Sequence, residues 1–225
     1  MAEIIVALDH KSATAALSLV DRLPKLRWAK VGAMLYVREG PAMVRALRER
    51  GIDVFLDLKW HDIPHQVTGA VRAAADLGVS MATVHTLGGP TMLAAAREAA
   101  AAMRLVGVTV LTSLSASELA VVLGRGTTAT DREALRLGQM ALDAGLGGVV
   151  ASPLEVAAMR AAFGVGPWIV VPGIRPVGED ADDQRRTADA RSAAQAGASH
   201  LVVGRPITGS ANPSLVYERL CDEAS

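Results

Sequence analysis

The sequence predicts an α/β chain folded as a single (β/α)8 barrel, the TIM architecture, over residues 1–225. Three observations predict it. Short β-branched apolar runs recur eight times, Ala-rich stretches with helical spacing separate them, and glycine repeatedly follows those stretches. Apolar runs without clean alternation suit strands buried on both faces of a parallel sheet. Eight such alternations in 225 residues match the compact end of the barrel's size range. A doubly wound open sheet is the alternative. It usually has fewer strands, and it carries a Gly-rich turn after strand one, where this chain has Asp9-His10-Lys11-Ser12.

The elements follow in order. A strand over 4–9 precedes a helix over 13–23, and a strand over 28–32 precedes a helix over 39–50. The third strand, 54–59, leads into a helix over 65–77, in which Val67, Val71, Ala74, Ala75 and Gly78 fall on one side. Strand 81–86 and helix 91–103 come next, then strand 105–112. The long connection 113–146 holds a short helix over 116–123, a turn at 124–126 and a main helix over 132–144. Strand 148–152 precedes helix 154–163. Strand 168–174 runs into a polar, acidic loop over 176–184, a candidate lid, before helix 187–196. Strand 200–206 and a last helix over 213–221 end the pattern. Gly51, Gly78, Gly145, Gly164 and Gly197 stand where helices stop, the position that favours a left-handed residue.

Composition narrows the function. Lys+Arg and Asp+Glu number 23 each, so the chain lacks the basic excess of a nucleic-acid or anionic-membrane binder. Three Trp, two Tyr and two Phe give little surface for stacking bases. A single Cys221 excludes a disulfide framework and a Cys-rich zinc site, and it fits a reducing cytoplasm. Acid at Glu3 and a short apolar run do not read as an export signal.

The strand ends carry unusual charge. Asp9 ends strand one, Lys30 lies on strand two, and Asp57 and Lys59 lie on strand three, with Asp62 just beyond. Residues two apart on a strand share a face, so Asp57 and Lys59 point one way and Leu58 the other. Strands one to three are barrel neighbours, and Asp9, Lys30, Asp57 and Lys59 can meet at one mouth as an alternating array. Buried charges are tolerable only when paired. One such pair would read as a structural ion pair; four on adjacent strand ends read as a substrate site. An ammonium between carboxylates can deliver a proton to a carbanion, and a carboxylate facing a substrate carboxylate disfavours it relative to a transition state losing that charge.

Two further segments point to a phosphate. Strand seven runs into Val171-Pro172-Gly173-Ile174-Arg175 and strand eight into Val203-Gly204-Arg205-Pro206-Ile207. Glycine lets backbone N–H groups approach an anion, arginine offers a bidentate fork, and these two loops are the usual phosphate site of the fold. Gln184 on the polar loop could close over the same group. His85, at the end of strand four, reads equally as a site wall or as a hydrogen-bonded interior histidine. Thr112 and Ser113 either reach a substrate ring or cap the following turn. His61, His65 and His200 show no metal-ligand spacing.

Together these residues resemble a known family. Asp57-Leu-Lys59-Trp-His61-Asp62-Ile63-Pro64 is similar to the Asp-x-Lys-x-x-Asp-Ile-Pro signature of orotidine 5′-phosphate decarboxylase, and Ala7-Leu8-Asp9, Lys30-Val31-Gly32, Leu111-Thr112-Ser113, Pro172-Gly173-Ile174-Arg175 and Gly204-Arg205-Pro206-Ile207 extend the match in order. The resemblance covers nearly the whole chain and suits the short bacterial form. It implies conversion of orotidine 5′-monophosphate to uridine 5′-monophosphate and carbon dioxide in pyrimidine biosynthesis, with no cofactor and no metal. Lys59 matches the lysine that protonates C6, and Asp57 the carboxylate facing the substrate carboxylate. Asp62 matches an aspartate lent to the neighbouring subunit's site, which implies a homodimer. Asp9 and Lys30 match the ribose-contacting pair, and Thr112 and Ser113 the pyrimidine-contacting segment. Pro172, Arg175, Gln184, Gly204 and Arg205 match the phosphate side, and Ile63, Pro64 and Gln66 the substrate-binding end of the signature.

The chain departs from the family within and just after the signature: Trp60 fills a position commonly Leu or Phe, a change that bears on packing or the dimer interface more than on chemistry, and the residues after Pro64 also differ. Where Ile-Pro-Asn-Thr is common, it reads Ile63-Pro64-His65-Gln66, so Gln66 stands for a substrate-binding threonine. Related metal-dependent sugar-phosphate lyases share Asp-x-Lys-x-x-Asp but place Glu on strand two to hold Mg2+; this chain has Lys30, whose charge opposes a cation there. A catalytically silent sugar-phosphate-binding barrel would tolerate loss of these charges, and all are present.

Overall fold

The structure, a computed structural model, describes residues 1–126, 129–175 and 188–225. Eight parallel strands close into a barrel in sequence order: β1 (Glu3–Ala7), β2 (Trp28–Gly32), β3 (Asp53–Trp60), β4 (Met81–His85), β5 (Arg104–Val108), β6 (Gly148–Val150), β7 (Trp168–Val171) and β8 (His200–Val203). Closure comes from β1 pairing with β8, in register from Glu3↔His200 to Val6↔Val203. The helices among the described residues are α1 (Ala13–Asp21), α2 (Ala33–Glu39), α3 (Pro41–Glu49), α4 (Pro64–Asp76), α5 (Gly89–Ala99), α6 (Ala116–Leu123), α7 (Thr130–Asp143), α8 (Val156–Phe163), α9 (Ala190–Gln195), α10 (Arg205–Thr208) and α11 (Pro213–Glu223). None of them is long and apolar enough to cross a membrane.

The apolar runs divide between two cores. Ile5, Phe55, Met81, Val106, Val170 and Val202 point into the barrel, while their strand neighbours pack outward against the helices. Buried on both faces, the strands have no polar side to show, which is why they lack alternation. The barrel floor is aromatic. Trp28, Trp168 and His200 are first residues of their strands, and the His200 ring lies 5.4 Å from Trp28 and 4.2 Å from Trp168. The Arg104 guanidinium stacks 4.0 Å above Trp168. Burial, reinforced by the charges of Arg104 and Arg27, holds the His200 imidazole at a pKa of about 4. The floor is therefore apolar and stacked, and the opposite, C-terminal mouth is the end left for chemistry.

Several expectations about element boundaries change. The helix expected over 39–50 is preceded by a separate α2, and Gly40 (φ 58°) with Pro41 breaks the chain between α2 and α3. The sequence hid α2 because only Leu35 of it is buried and Val37 is 83% exposed, so it has no apolar stripe. β1 stops at Ala7 and β5 at Val108, which puts Asp9, Thr112 and Ser113 in loops beyond the strands. β8 stops at Val203, and Arg205 opens α10 rather than extending the strand, with Pro206 in its first turn. The five helix-ending glycines do take positive φ, from 71° at Gly164 to 104° at Gly197.

Candidate active site

At the C-terminal mouth lies a cavity of about 470 Å3. Strand pairing brings its charged wall together. Lys30 follows Ala29 on β2 and is paired with Ala7, the last residue of β1, so Asp9 two residues on arrives beside it. The Lys30 Nζ lies 3.1 Å from Asp9 Oδ1 and 3.8 Å from Asp57 Oδ2, and the Lys59 Nζ lies 2.9 Å from Asp57 Oδ1. The expected Asp–Lys–Asp–Lys array is thus continuous. Its inner members, Lys30 and Asp57, keep only 12% and 14% side-chain exposure, so each depends on its neighbours for compensation.

Asp57 and Lys59 meet by an unexpected route. They do not sit on a regular strand. β3 and β4 pair at Leu56↔Ala82 and again at Trp60↔Val84, so Asp57, Leu58 and Lys59 oppose the single residue Thr83. Lys59 has φ 52°, in the left-handed region that costs a side-chain-bearing residue energy. Leu58 still packs outward on the main core, as the two-residue period predicts.

Beside the array, His85 and His61 stack at 5.4 Å with an interplanar angle of 21°. Burial first, then the charges of His61 and Lys59, lowers the His85 pKa to about 4. The His85 Nδ1 accepts a hydrogen bond from the Leu87 N–H. A neutral imidazole spent on a backbone donor is the interior-histidine reading, and His85 does not line the cavity. Among the described residues no group of three or more His, Cys, Asp or Glu is placed to hold a metal ion.

The second wall carries the loops after β7 and β8. Pro172, Gly173, Arg175, Gly204 and Arg205 all face the cavity. Arg175 is 8% exposed; one terminal nitrogen donates to the Ile174 carbonyl, while its buried Nε has no partner among the described residues. An unpaired buried donor is costly and favours an acceptor from outside the protein. Thr112 and Ser113 close the cavity from the loop after β5. Among the described residues the cavity wall holds four cations, Lys30, Lys59, Arg175 and Arg205, against two carboxylates, Asp9 and Asp57. Two surplus positive charges suit a dianionic group at the arginine side.

Four expected residues lie elsewhere. Asp62, Ile63, Pro64 and Gln66 sit at the β3–α4 junction, outside this cavity's wall, with Asp62, Ile63 and Gln66 exposed. Asp62 Oδ1 accepts from the Ile63 N–H at 2.6 Å. Gln184 lies outside the described residues. Sequence reading gave no role to Thr83, nor to Gly32 beyond its place in the Lys30-Val31-Gly32 match. Thr83 was visible only as a polar residue in an apolar strand; Gly32 stands where a Cβ would come within 3.0 Å of Lys30 Nζ.

Comparison with known proteins adds the family. Residues 2–220 match the model of the orotidine 5′-phosphate decarboxylase / HUMPS family. A relative named orotidine 5′-phosphate decarboxylase from Halorhodospira halophila is 50% identical, covering 98% of this chain and 94% of its own. Another of that name from Nitrosospira multiformis is 47% identical, covering 96% and 91%. The crystal structure of orotidine 5′-phosphate decarboxylase from Lactobacillus acidophilus superposes with a TM-score of 0.89 at 34% identity over the full length of both chains.

Proposed function

Because the chain belongs to the orotidine 5′-phosphate decarboxylase / HUMPS family, we propose that it is a carboxy-lyase converting orotidine 5′-monophosphate to uridine 5′-monophosphate and carbon dioxide. The observation that carries this reading is the Asp9–Lys30–Asp57–Lys59 array, with a lysine on β2 where the metal-dependent sugar-phosphate lyases resembling this chain carry an acid.

In this reading the C6–carboxylate bond breaks, carbon dioxide leaves, and the electron pair stays on C6. The Lys59 ammonium gives a proton to that carbon, and solvent restores the lysine. The step is a non-redox exchange of carbon dioxide for a proton, and in this reading the protein's own charged array carries it without a cofactor or metal. The Asp57 carboxylate faces the departing carboxylate, so their repulsion is relieved as the charge moves to C6. Lys30 offsets the charge of Asp57 and, with Asp9, holds the ribose. Thr112 and Ser113 meet the pyrimidine. Pro172, Arg175, Gly204 and Arg205 take the phosphate, and Gln184 closes over it.

The chain, residues 1–225, serves as one catalytic barrel and pairs with a second copy. Asp62, Ile63, Pro64 and Gln66 lie outside the protomer's own cavity, which supports Asp62 completing the partner's site. The enzyme acts in the cytoplasm, in pyrimidine biosynthesis. The test is the loss of ultraviolet absorbance when purified protein meets orotidine 5′-monophosphate, with excess chelator present. Full activity is expected. Activity that disappears with chelator and returns with Mg2+ would instead assign the chain to the sugar-phosphate lyases.

A further inference from the structure

The residues that hold the reacting pair in place are as informative as the pair. At the β3–β4 bulge the backbone ladder is interrupted, and a side chain replaces it. The Lys59 N–H donates to Thr83 Oγ1 at 2.8 Å, and that hydroxyl donates to Asp57 Oδ1 at 3.1 Å. Thr83 itself is fully buried. Asp57 Oδ1 also receives the Lys59 ammonium at 2.9 Å. One hydroxyl therefore closes a ring through the lysine backbone, the carboxylate and the lysine side chain.

We propose that Thr83 is a positioning residue, whose single hydroxyl pins both the carboxylate of Asp57 and the left-handed backbone of Lys59. The inference rests on the proposed reaction for its kinetic meaning and on geometry alone for its structural one. Three features support it. Lys59 has φ 52°, a conformation that persists only when surrounding contacts enforce it. The hydroxyl fills both of its roles, acceptor and donor, on the two residues that must face the reacting carbon. Thr83 lies in the middle of β4, a rigid element, and its methyl is packed in a fully buried site, so its rotamer is fixed. Thr83 does not line the cavity, so it acts through the other two. Displacing a reacting group by about 1 Å can cost on the order of a hundredfold in rate.

The test compares Thr83→Val, which keeps the shape and removes the hydroxyl, with Thr83→Ser, which keeps the hydroxyl. Thr83→Val should lower kcat by roughly 10- to 100-fold with KM changed by less than about threefold, because binding groups elsewhere are untouched. Thr83→Ser should recover to within about threefold of the wild-type kcat. Should Thr83→Val not fold, Thr83→Ala against Thr83→Ser makes the same comparison, since both lose the methyl and only one loses the hydroxyl. A second readout is independent of turnover: the Lys59 amide should exchange with solvent about tenfold faster in Thr83→Val than in wild type, and not in Thr83→Ser. Wild-type protein that leaves orotidine 5′-monophosphate unchanged would overturn the proposed reaction, while the exchange pattern would still decide the anchor. Equal kcat in the hydroxyl-bearing and hydroxyl-free variants, or equal Lys59 exchange in both, overturns the positioning role.

Discussion

The Lys59 ammonium lies 2.9 Å from Asp57 Oδ1 although its own backbone has left the strand for the left-handed region. A regular strand would also put both side chains on one face, but as parallel neighbours along the strand. Here Lys59 lies in the bulge with a left-handed φ, and the cation and the anion meet at the cavity wall. Fully buried Thr83 meets both residues, accepting from the Lys59 N–H and donating to Asp57 Oδ1. Four predictions follow from the arrangement of the site and floor, each with its own measurement.

Asp62 lies outside the cavity of its own protomer, so two inactive variants should complement each other. In the proposed homodimer, mixing Asp62→Ala with Lys59→Ala under subunit exchange should make mixed dimers with one fully native site. Random exchange should recover roughly a quarter of the wild-type activity, since half the dimers are mixed and each has one good site of two. No recovery, with exchange proven by mass, would place Asp62 outside any shared site.

Arg205 should matter through the phosphate. It lines the cavity beside Gly204 and Arg175. Arg205→Ala should lower kcat/KM for the nucleotide by the equivalent of about 3 kcal/mol, the loss of a charged hydrogen-bonding partner. The phosphate-free nucleoside should react equally slowly with both proteins. An equal penalty on nucleoside and nucleotide would make the arginine structural.

Gly32 should be intolerant of even a methyl group. Its backbone is ordinary extended chain (φ −90°, ψ 175°), so alanine brings no backbone strain, yet the new Cβ would stand 3.0 Å from Lys30 Nζ and 3.5 Å from Asp9 Oδ1. Lys30 must then shift by a few tenths of an ångström within the array. Gly32→Ala should reduce kcat/KM by about tenfold while the melting temperature falls only slightly. Unchanged kinetics would show that the array adjusts freely.

Acid should destabilise the fold through its two depressed histidines. His85 and His200 both fall from 6.5 to about 4, chiefly by burial. Between those values the unfolded chain binds protons that the folded chain does not, so stability decreases as pH drops from 6.5 towards 4. The slope is at most about 1.4 kcal/mol per pH unit for each group, and smaller for the less buried His85. Denaturant unfolding of His200→Gln across this range should show a shallower pH dependence than wild type. Identical slopes would mean that His200 titrates normally.

Much of this was readable before any fold was known. The barrel followed from local patterns: doubly buried strands are apolar without alternation, and helices stop at Gly51, Gly78, Gly145, Gly164 and Gly197, all of which take positive φ. The charges on the first three strands announced the array, because charged side chains at the ends of buried strands need partners. α2 escaped notice because it buries a single side chain and so leaves no periodic mark.

The sequence by itself determined the strand-and-helix alternation, the charged identity of the site and the arginine-bearing loops, since each depends on residue type and short spacing. Tertiary structure alone decided the rest. The register shift at Asp57–Lys59 depends on what β4 offers opposite it, and Thr83 is 24 residues away in sequence from the amide it holds. The stacking of Trp28 against Trp168 and His200 on the floor likewise exists only once β8 pairs with β1. Local sequence fixes which way a side chain points along its own strand; only closure of the barrel decides what it meets there.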